Sequence, residues 1–468
     1  MATGGANLIK VALQLLLLPI MARLLGPNEF GLYALALPTV SLVSLLADGG
    51  LGATLAREQE SSSLVWSSAF WALLLMGATL ALGSAIFGKL LGYLADQPRL
   101  PGMIALLSLS LIFLTLSAVP AARLTRRKKL GIGAGADLAA NLIGAMIAVT
   151  MAWNGMGAWS LAAQYVVVYA VRAALLNLVA FSIPALQFSF AALRPHLISG
   201  GILIASRICE YAGRAAENFA TDRIFSTNVL GSYNFANQVS KFATDATSNV
   251  VWAALYVQAL TDDKSKIVIL HRQLCRLLGV LLFPATFLAA AAAPELISFL
   301  LGPKWPDLSF MLRVFLPLYA LAAISVQTGP ILLAYGRFDI QFWCMLGLSV
   351  GRVIAIGLGF WLGLSGAVYG VAIVTFLFCV AMLVVPAEVT GCRPGPVLLG
   401  LVRPAISSVL AAGAFLVFNS LSSPTVTWTL VSLFGGFATY VASMMLIDRE
   451  GLRGDWTSAR RILSRGRA

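Results

Sequence analysis

Charge is what this sequence has least of. Asp, Glu, Lys and Arg make up 11% of its 468 residues, where soluble domains carry about a quarter. With 59% hydrophobic residues beside that scarcity, a water-soluble domain is excluded. The class left is an all-α polytopic membrane protein. Histidine occurs only as His196 and His271, isolated and near segment ends, so a metal centre is not expected. The cysteines (Cys209, Cys275, Cys344, Cys379 and Cys392) form neither a CxxC pair nor a disulfide framework. Long polar loops are missing as well. The longest outer connection, Ala293–Leu308, holds no acid–base group with an obvious partner, which counts against a polymerase or ligase. The net charge is +13, but the basic residues sit in short gaps between apolar runs. They read as topology signals, and no nucleic-acid partner is expected.

Long apolar runs are what the chain does have. A span needs about 20 apolar residues. Fourteen such runs are legible, at 4–25, 30–52, 64–92, 102–122, 132–153, 157–182, 197–222, 229–259, 267–292, 308–334, 340–362, 366–387, 398–420 and 426–447. The first run passes into the second through a short turn and so reads as a retained helix, not a cleaved signal. Turn-like breaks stand at Gly26–Gly31, Asn154–Gly157 and Leu362–Gly366. With both termini inside, inner connections and the tail hold 19 basic residues and outer connections 5. The inner set includes the cluster Arg123, Arg126, Arg127, Lys128 and Lys129, and six arginines from Arg449 to Arg467. That bias predicts cytoplasmic termini.

Span 7 breaks the apolar rule. Its second half carries Arg207, Glu210, Arg214 and Glu217, which fall within an arc of about 80° at 100° per residue. Each charge at the centre of a lipid-facing helix costs about 2.5–3.5 kcal/mol, so this face must meet other helices or water. Two readings stand. The i,i+3 and i,i+4 spacing could make a self-neutralising ladder that joins helices. Alternatively, the stripe lines a polar cavity for a charged solute.

An internal repeat favours the cavity. Shifted by 200 residues, LLGPNEFGLYALA (24–36) lies over IFSTNVLGSYNFA (224–236), matching Arg23 with Arg223, Asn28 with Asn228, Gly31 with Gly231 and Tyr33 with Tyr233. The same shift lays Asn7, Lys10 and Gln14 over Arg207, Glu210 and Arg214. Span 2 carries Ser41, Ser44 and Asp48 on one face. Span 8 carries Asn234, Asn237, Gln238, Lys241, Asp245, Asn249 and Trp252 on another. The expectation is two parallel six-helix repeats around a central cavity, with residues 1–190 and 191–390 as lobes. Residues 391–468 would add a helix pair, uncharged from Pro404 to Ile447, and a basic tail on the anionic leaflet.

Nucleotide chemistry is not supported. GSAIFGKL at Gly83–Leu90 approaches a phosphate loop but ends on Leu90, where a Ser or Thr must hold magnesium. GIGAG at Gly131–Gly135 follows no strand. Asp137 and Arg172 suit an ion pair between spans 5 and 6, and Arg313 and Arg352 are lone intramembrane cations, lining the cavity or snorkelling.

The segment MARLLGPNEFGLYALALPTVSLVSLLADGGLGATLAR (21–57) resembles the opening of the polysaccharide transporter family, the Wzx-like oligosaccharide flippases of the multidrug/oligosaccharidyl-lipid/polysaccharide exporter superfamily. FLLGPKW (299–305) is similar to that family's second marker. The resemblance implies a flippase, not an enzyme. Such a protein carries undecaprenyl-pyrophosphate-linked oligosaccharide across the bacterial inner membrane by alternating access, for cell-surface or exopolysaccharide biosynthesis. Its partners would be the lipid-linked oligosaccharide, membrane lipids and other polysaccharide assembly proteins. It implies no cofactor, and proton or sodium coupling could fall to Glu210, Glu217, Asp245 or Asp48. On this reading Arg207, Arg214, Lys241 and Lys10 would meet pyrophosphate. Asn234, Asn237, Gln238, Asn249, Glu210, Asp245 and Trp252 would meet sugar. The alternatives within reach are a cation-coupled multidrug extruder of the same superfamily and a polysaccharide polymerase or ligase.

Overall fold

The computed structural model describes residues 2–48, 63–127, 130–180, 185, 187–189, 211–261, 264–335, 337–385, 395–422 and 425–448. Among them every regular element is a helix. The helices are α1 (Ala2–Leu25), α2 (Pro27–Asp48), α3 (Ser63–Ala95), α4 (Leu100–Arg126), α5 (Leu130–Trp153) and α6 (Ala158–Val179). They continue as α7 (residues 211–224), α8 (Thr227–Thr261), α9 (Lys264–Ala291), α10 (Ala293–Leu300) and α11 (Leu308–Ser325). A 3₁₀ turn at Val326–Thr328 leads into α12 (Gly329–Ala334), then α13 (Phe338–Val384), α14 (Gly395–Ser420) and α15 (Val426–Ile447). Nine of the described helices are long and apolar enough to cross a membrane. The chain is a multi-pass membrane protein.

Two places show how local sequence sets these elements. The apolar stretch Asp339–Val384 is 46 residues long, about 70 Å of straight helix against a hydrocarbon core of about 30 Å. It is two spans in one helix, broken at Gly363, whose φ of 73° and ψ of −179° interrupt α13. That break lies in the turn expected at Leu362–Gly366. The connection Ala293–Leu308 departs from expectation, because its first half is helical, forming α10. Pro294 stands in the first turn of α10, where a missing N–H costs nothing. Leu301 and Gly302 N–H both return to the Ile297 carbonyl to end it. The phosphate-loop-like run Gly83–Leu90 lies wholly inside α3, so no phosphate-binding loop exists there.

By internal contacts the chain divides into Met1–Gly231 and Ser232–Ala468. In the first unit, α3 packs on α4, α4 on α6 and α2, α5 on α6, and α1 on α5. Its core draws Leu32, Ala36 and Val40 from α2, Met103, Ile104, Leu107 and Leu111 from α4, and Ala158 and Ala162 from α6. In the second unit, α9 packs on α11, α11 on α13, and α14 on both α9 and α15. Cys275, Phe283, Ile324, Leu383 and Leu401 meet in one apolar cluster, and Leu288, Ala411, Phe415 and Tyr440 in another. Each unit thus repeats a packing order: α3–α4–α6 in the first, α9–α11–α13 in the second.

The 200-residue shift has a direct counterpart inside the first unit. A Cβ on Gly31 would lie 1.9 Å from the Thr227 carbonyl oxygen, and one on Gly231 would lie 1.7 Å from the Pro27 carbonyl oxygen. Gly31 matches Gly231 and Pro27 matches Thr227 under that shift. The contact is therefore reciprocal, as at a two-fold axis. Only glycine lets the starts of α2 and α8 cross so closely. Around the crossing, Asn218 Nδ2 donates to the Ala34 carbonyl at 2.8 Å. Gln97 Nε2 donates to Thr227 Oγ1 at 2.9 Å, and Thr227 Oγ1 donates to Asp222 Oδ1 at 2.7 Å.

A clamp holds the same end of the unit. Arg99 grips Glu29 with two hydrogen bonds of 2.8 and 3.0 Å. Glu29 Oε2 also accepts the Ala158 N–H, the first of α6, so a carboxylate caps a helix N-terminus. Burial pushes the Glu29 carboxyl up, but Arg99 and the Ala158 N–H outweigh it and leave it below its ordinary value.

Candidate substrate site

The sequence-selected residues fall in both units. In the first, Lys10 on α1 is half-buried and Gln14 is exposed. On α7 the stripe is split. Arg214 is exposed, with its guanidinium 5.8 Å from the Tyr211 ring, while Glu217 is buried. Glu217 belongs to an inward row with Asn218, Thr221 and Asp222, the row that meets α2 through Asn218. Arg207 and Glu210 lie outside the described residues. Asn7 lies on α1, Asp48 ends α2, and Asp245, Asn249 and Trp252 lie on α8; their side chains fall outside what is described.

In the second unit, α8 presents Asn234 and Asn237 half-buried, Gln238 exposed and Lys241 half-buried. The best-defined geometry centres on Asn237. Its Oδ1 accepts from Tyr319 Oη at 2.5 Å and from Arg352 Nη2 at 3.2 Å. Its Nδ2 donates to the Tyr233 carbonyl at 2.9 Å. Arg352 Nη2 also reaches Tyr233 Oη at 3.1 Å, and the Tyr233 ring packs edge-on against Phe315 at 5.5 Å. Three helices, α8, α11 and α13, are thereby tied through one amide. A cation inside a span is tolerated when polar groups answer it, and here the Tyr233 phenol and the Asn237 amide accept from it.

Tyr233, Tyr319 and Arg352 complete this network; sequence reasoning had not joined the two tyrosines to the site and had left Arg352 between lining the cavity and snorkelling. Arg352 carried a signal, being a charge in an apolar run. Tyr319 carried none, since an aromatic in a span is ordinarily packing. Arg313, the other lone cation, is exposed on α11. The pair foreseen between spans 5 and 6 is present, with Arg172 Nε 2.8 Å from Asp137 Oδ1. A second ionic group was missed. Asp448, fully buried, joins Arg276 of α9 and Arg403 of α14, the latter at 2.6 Å. Among the described residues no cluster of metal-ligating side chains occurs.

The arrangement has the chemistry of a binding site. It offers cations, amides, phenols and aromatic faces in an apolar frame, which suits a solute both anionic and hydroxyl-rich. Comparison with known proteins agrees with a role in polysaccharide assembly. The chain is 24% identical over 341 residues to the lipopolysaccharide biosynthesis protein WzxC of Escherichia coli (strain K12), covering 72% of this chain and 69% of that one. It is 28% identical over 361 residues to the succinoglycan biosynthesis transport protein ExoT of Rhizobium meliloti (strain 1021), covering 74% and 71%. Its fold matches the lipid II flippase MurJ in an inward closed conformation with a TM-score of 0.76 at 12% identity, over 96% of this chain and 99% of that one. The family model described as polysaccharide biosynthesis protein matches residues 20–309, more than half of the sequence, and the chain therefore belongs to the polysaccharide biosynthesis protein family.

Proposed function

We propose that this protein is a flippase. It moves an undecaprenyl-pyrophosphate-linked oligosaccharide across the bacterial inner membrane by alternating access, for cell-surface or exopolysaccharide assembly. The observation that carries this reading is the polar face of α8, where Asn237 is held by Tyr319 and Arg352 beside Asn234, Gln238 and Lys241. A fixed polar face in an apolar bundle is costly to keep and suits a transported polar solute. Relatives that serve lipopolysaccharide biosynthesis and succinoglycan transport, and a shared fold with a flippase of lipid II, support the same class.

In this reading Lys10, Arg207, Arg214 and Lys241 meet the pyrophosphate. Asn7, Gln14, Asp48, Glu210, Glu217, Asp245, Asn249 and Trp252 join the α8 amides in meeting sugar or a coupling ion. Residues 1–190 and 191–390 act as the moving lobes, 391–468 as an appended helix pair and tail. Both termini face the cytoplasm, following the bias of basic residues. Cells depleted of the protein test this, using a label that reaches only outer-leaflet lipid-linked oligosaccharide. Loss of the outer signal with an intact total pool is expected. An unchanged outer signal refutes the reading.

A further inference from the structure

A pair of side chains in the second unit is chemically incomplete. Glu295, in the first turn of α10, accepts a hydrogen bond on Oε1 from Nδ2 of Asn419, near the end of α14, at 2.7 Å. The other two oxygens of the pair, Glu295 Oε2 and Asn419 Oδ1, are closed off from solvent and find no hydrogen-bond donor among the described residues. Both are acceptors when the carboxyl is ionised. An acceptor shut away from water without a donor costs stability, and a carboxylate oxygen costs more because it carries charge.

One small cation placed between them answers both. A proton on Glu295 Oε2 turns that oxygen into a donor toward Asn419 Oδ1, while Asn419 Nδ2 already donates to Glu295 Oε1. The result is a closed acid–amide ring with two hydrogen bonds and no net charge. A sodium ion between the same oxygens would neutralise the carboxylate with oxygen ligands. We infer that Glu295 and Asn419 form a site for one small monovalent cation, a proton or sodium ion, that fastens α10 to α14.

The surroundings leave this role to the pair itself. Glu295 makes no ion pair among the described residues. The elements against α10 are α9, α11 and α15, with α14 reached through Asn419. On α9, Lys264, Lys266, His271, Arg272 and Arg276 all lie toward the far end, with Arg276 about 22 Å along the helix from Ala291. On α14, Arg403 is about 24 Å from Asn419. On the α11 side stand exposed Lys304, Asp307 at the N-cap and Arg313. From Val426 to Ile447, α15 has no charge, and Asp448 follows it at the far end. Ala292 and Leu296, beside Glu295 in sequence, and Phe415, one turn before Asn419, belong to one apolar cluster.

The test uses the full chain in lipid nanodiscs. Infrared difference spectra of wild type against Glu295→Gln read the carbonyl stretch of a protonated carboxyl. Melting curves in sodium chloride against choline chloride read sodium. Glu295→Gln keeps an amide pair of the same shape, and Asn419→Ala serves as a second variant. A carboxyl band in wild type that is lost in Glu295→Gln and displaced in Asn419→Ala identifies the proton. Without that band, a sodium-dependent rise in melting temperature that is lost in both variants identifies sodium. Absence of both signals in wild type, or a sodium effect unchanged in both variants, overturns the site. The readout does not depend on transport, so the site stands or falls separately from the flippase reading.

Discussion

The reciprocal crossing of Gly31 and Gly231 makes a prediction whose sign is informative. Each glycine lies one turn into a helix, where alanine is the better helix former by about 1 kcal/mol. On helix propensity alone, Gly31→Ala and Gly231→Ala would both stabilise the protein. The structure predicts the reverse. A methyl group at these positions would sit 1.9 and 1.7 Å from a backbone carbonyl oxygen, and Cβ contacts closer than 3.0 Å are essentially never seen. The crossing must open by about 1.1 to 1.3 Å to admit either methyl. Overpacking against movable side chains costs about 1–3 kcal/mol. Here the obstacle is helix backbone, so the upper end applies, and the net loss for each variant is about 2 kcal/mol after propensity is subtracted. Opening would also stretch the bonds from Asn218 to Ala34 and from Gln97 to Thr227. Because one opening serves both methyls, the double variant should lose less than the sum, with a coupling of about 0.5–3 kcal/mol. Melting curves of the full chain in nanodiscs measure this. Gly347→Ala, which meets nothing within 4 Å, is the control and should be neutral or stabilising. If Gly31→Ala and Gly231→Ala melt at or above wild type, the crossing is not as described.

Further outcomes follow from the polar groups. Glu29→Gln should cost about 1–2 kcal/mol, less than a buried charged hydrogen bond because Arg99 is 44% exposed. Since the folded carboxyl is held below its ordinary value, the clamp is complete above the unfolded value of about 4.3 and is lost as pH falls through the lower folded value. Acid melts of wild type and Glu29→Gln should therefore converge. Asp448→Asn should cost about 3 kcal/mol by leaving Arg276, whose side chain is only 17% exposed, without its carboxylate, whereas Arg403→Met, at a 54% exposed side chain, should cost under about 1 kcal/mol; denaturation in detergent separates them. Arg352→Gln should lower polymer export about tenfold at unchanged protein level, the equivalent of about 1.4 kcal/mol, with Arg352→Lys recovering part of it because a lysine keeps the charge but not the planar guanidinium. Full export by a strain carrying Arg207→Ala, Arg214→Ala and Lys241→Ala would refute the pyrophosphate role of those cations.

The sequence by itself determined the class and most of the described helix positions. Apolar runs about 20 residues long can only be helices in lipid, because each backbone polar group must be satisfied within its own segment. Breaks at Gly26, Asn154–Gly157 and Gly363 were legible because turn chemistry is local. The matched pair Gly31 and Gly231 was visible as an identity, but its reason was not; the carbonyl it accommodates comes from a residue about 200 positions away. Tertiary structure alone decided how the α7 stripe divides, with Arg214 outward and Glu217 inward, since periodicity ranks residues around a helix without saying what stands opposite. It alone joined Arg352 and Tyr319 to Asn237, Asp448 to two arginines, and Glu295 to Asn419. These are contacts between segments 45 to 172 residues apart. Hydrogen bonds and ion pairs act over a few ångströms, and which distant side chains come that close is set by helix packing and has no period in the sequence.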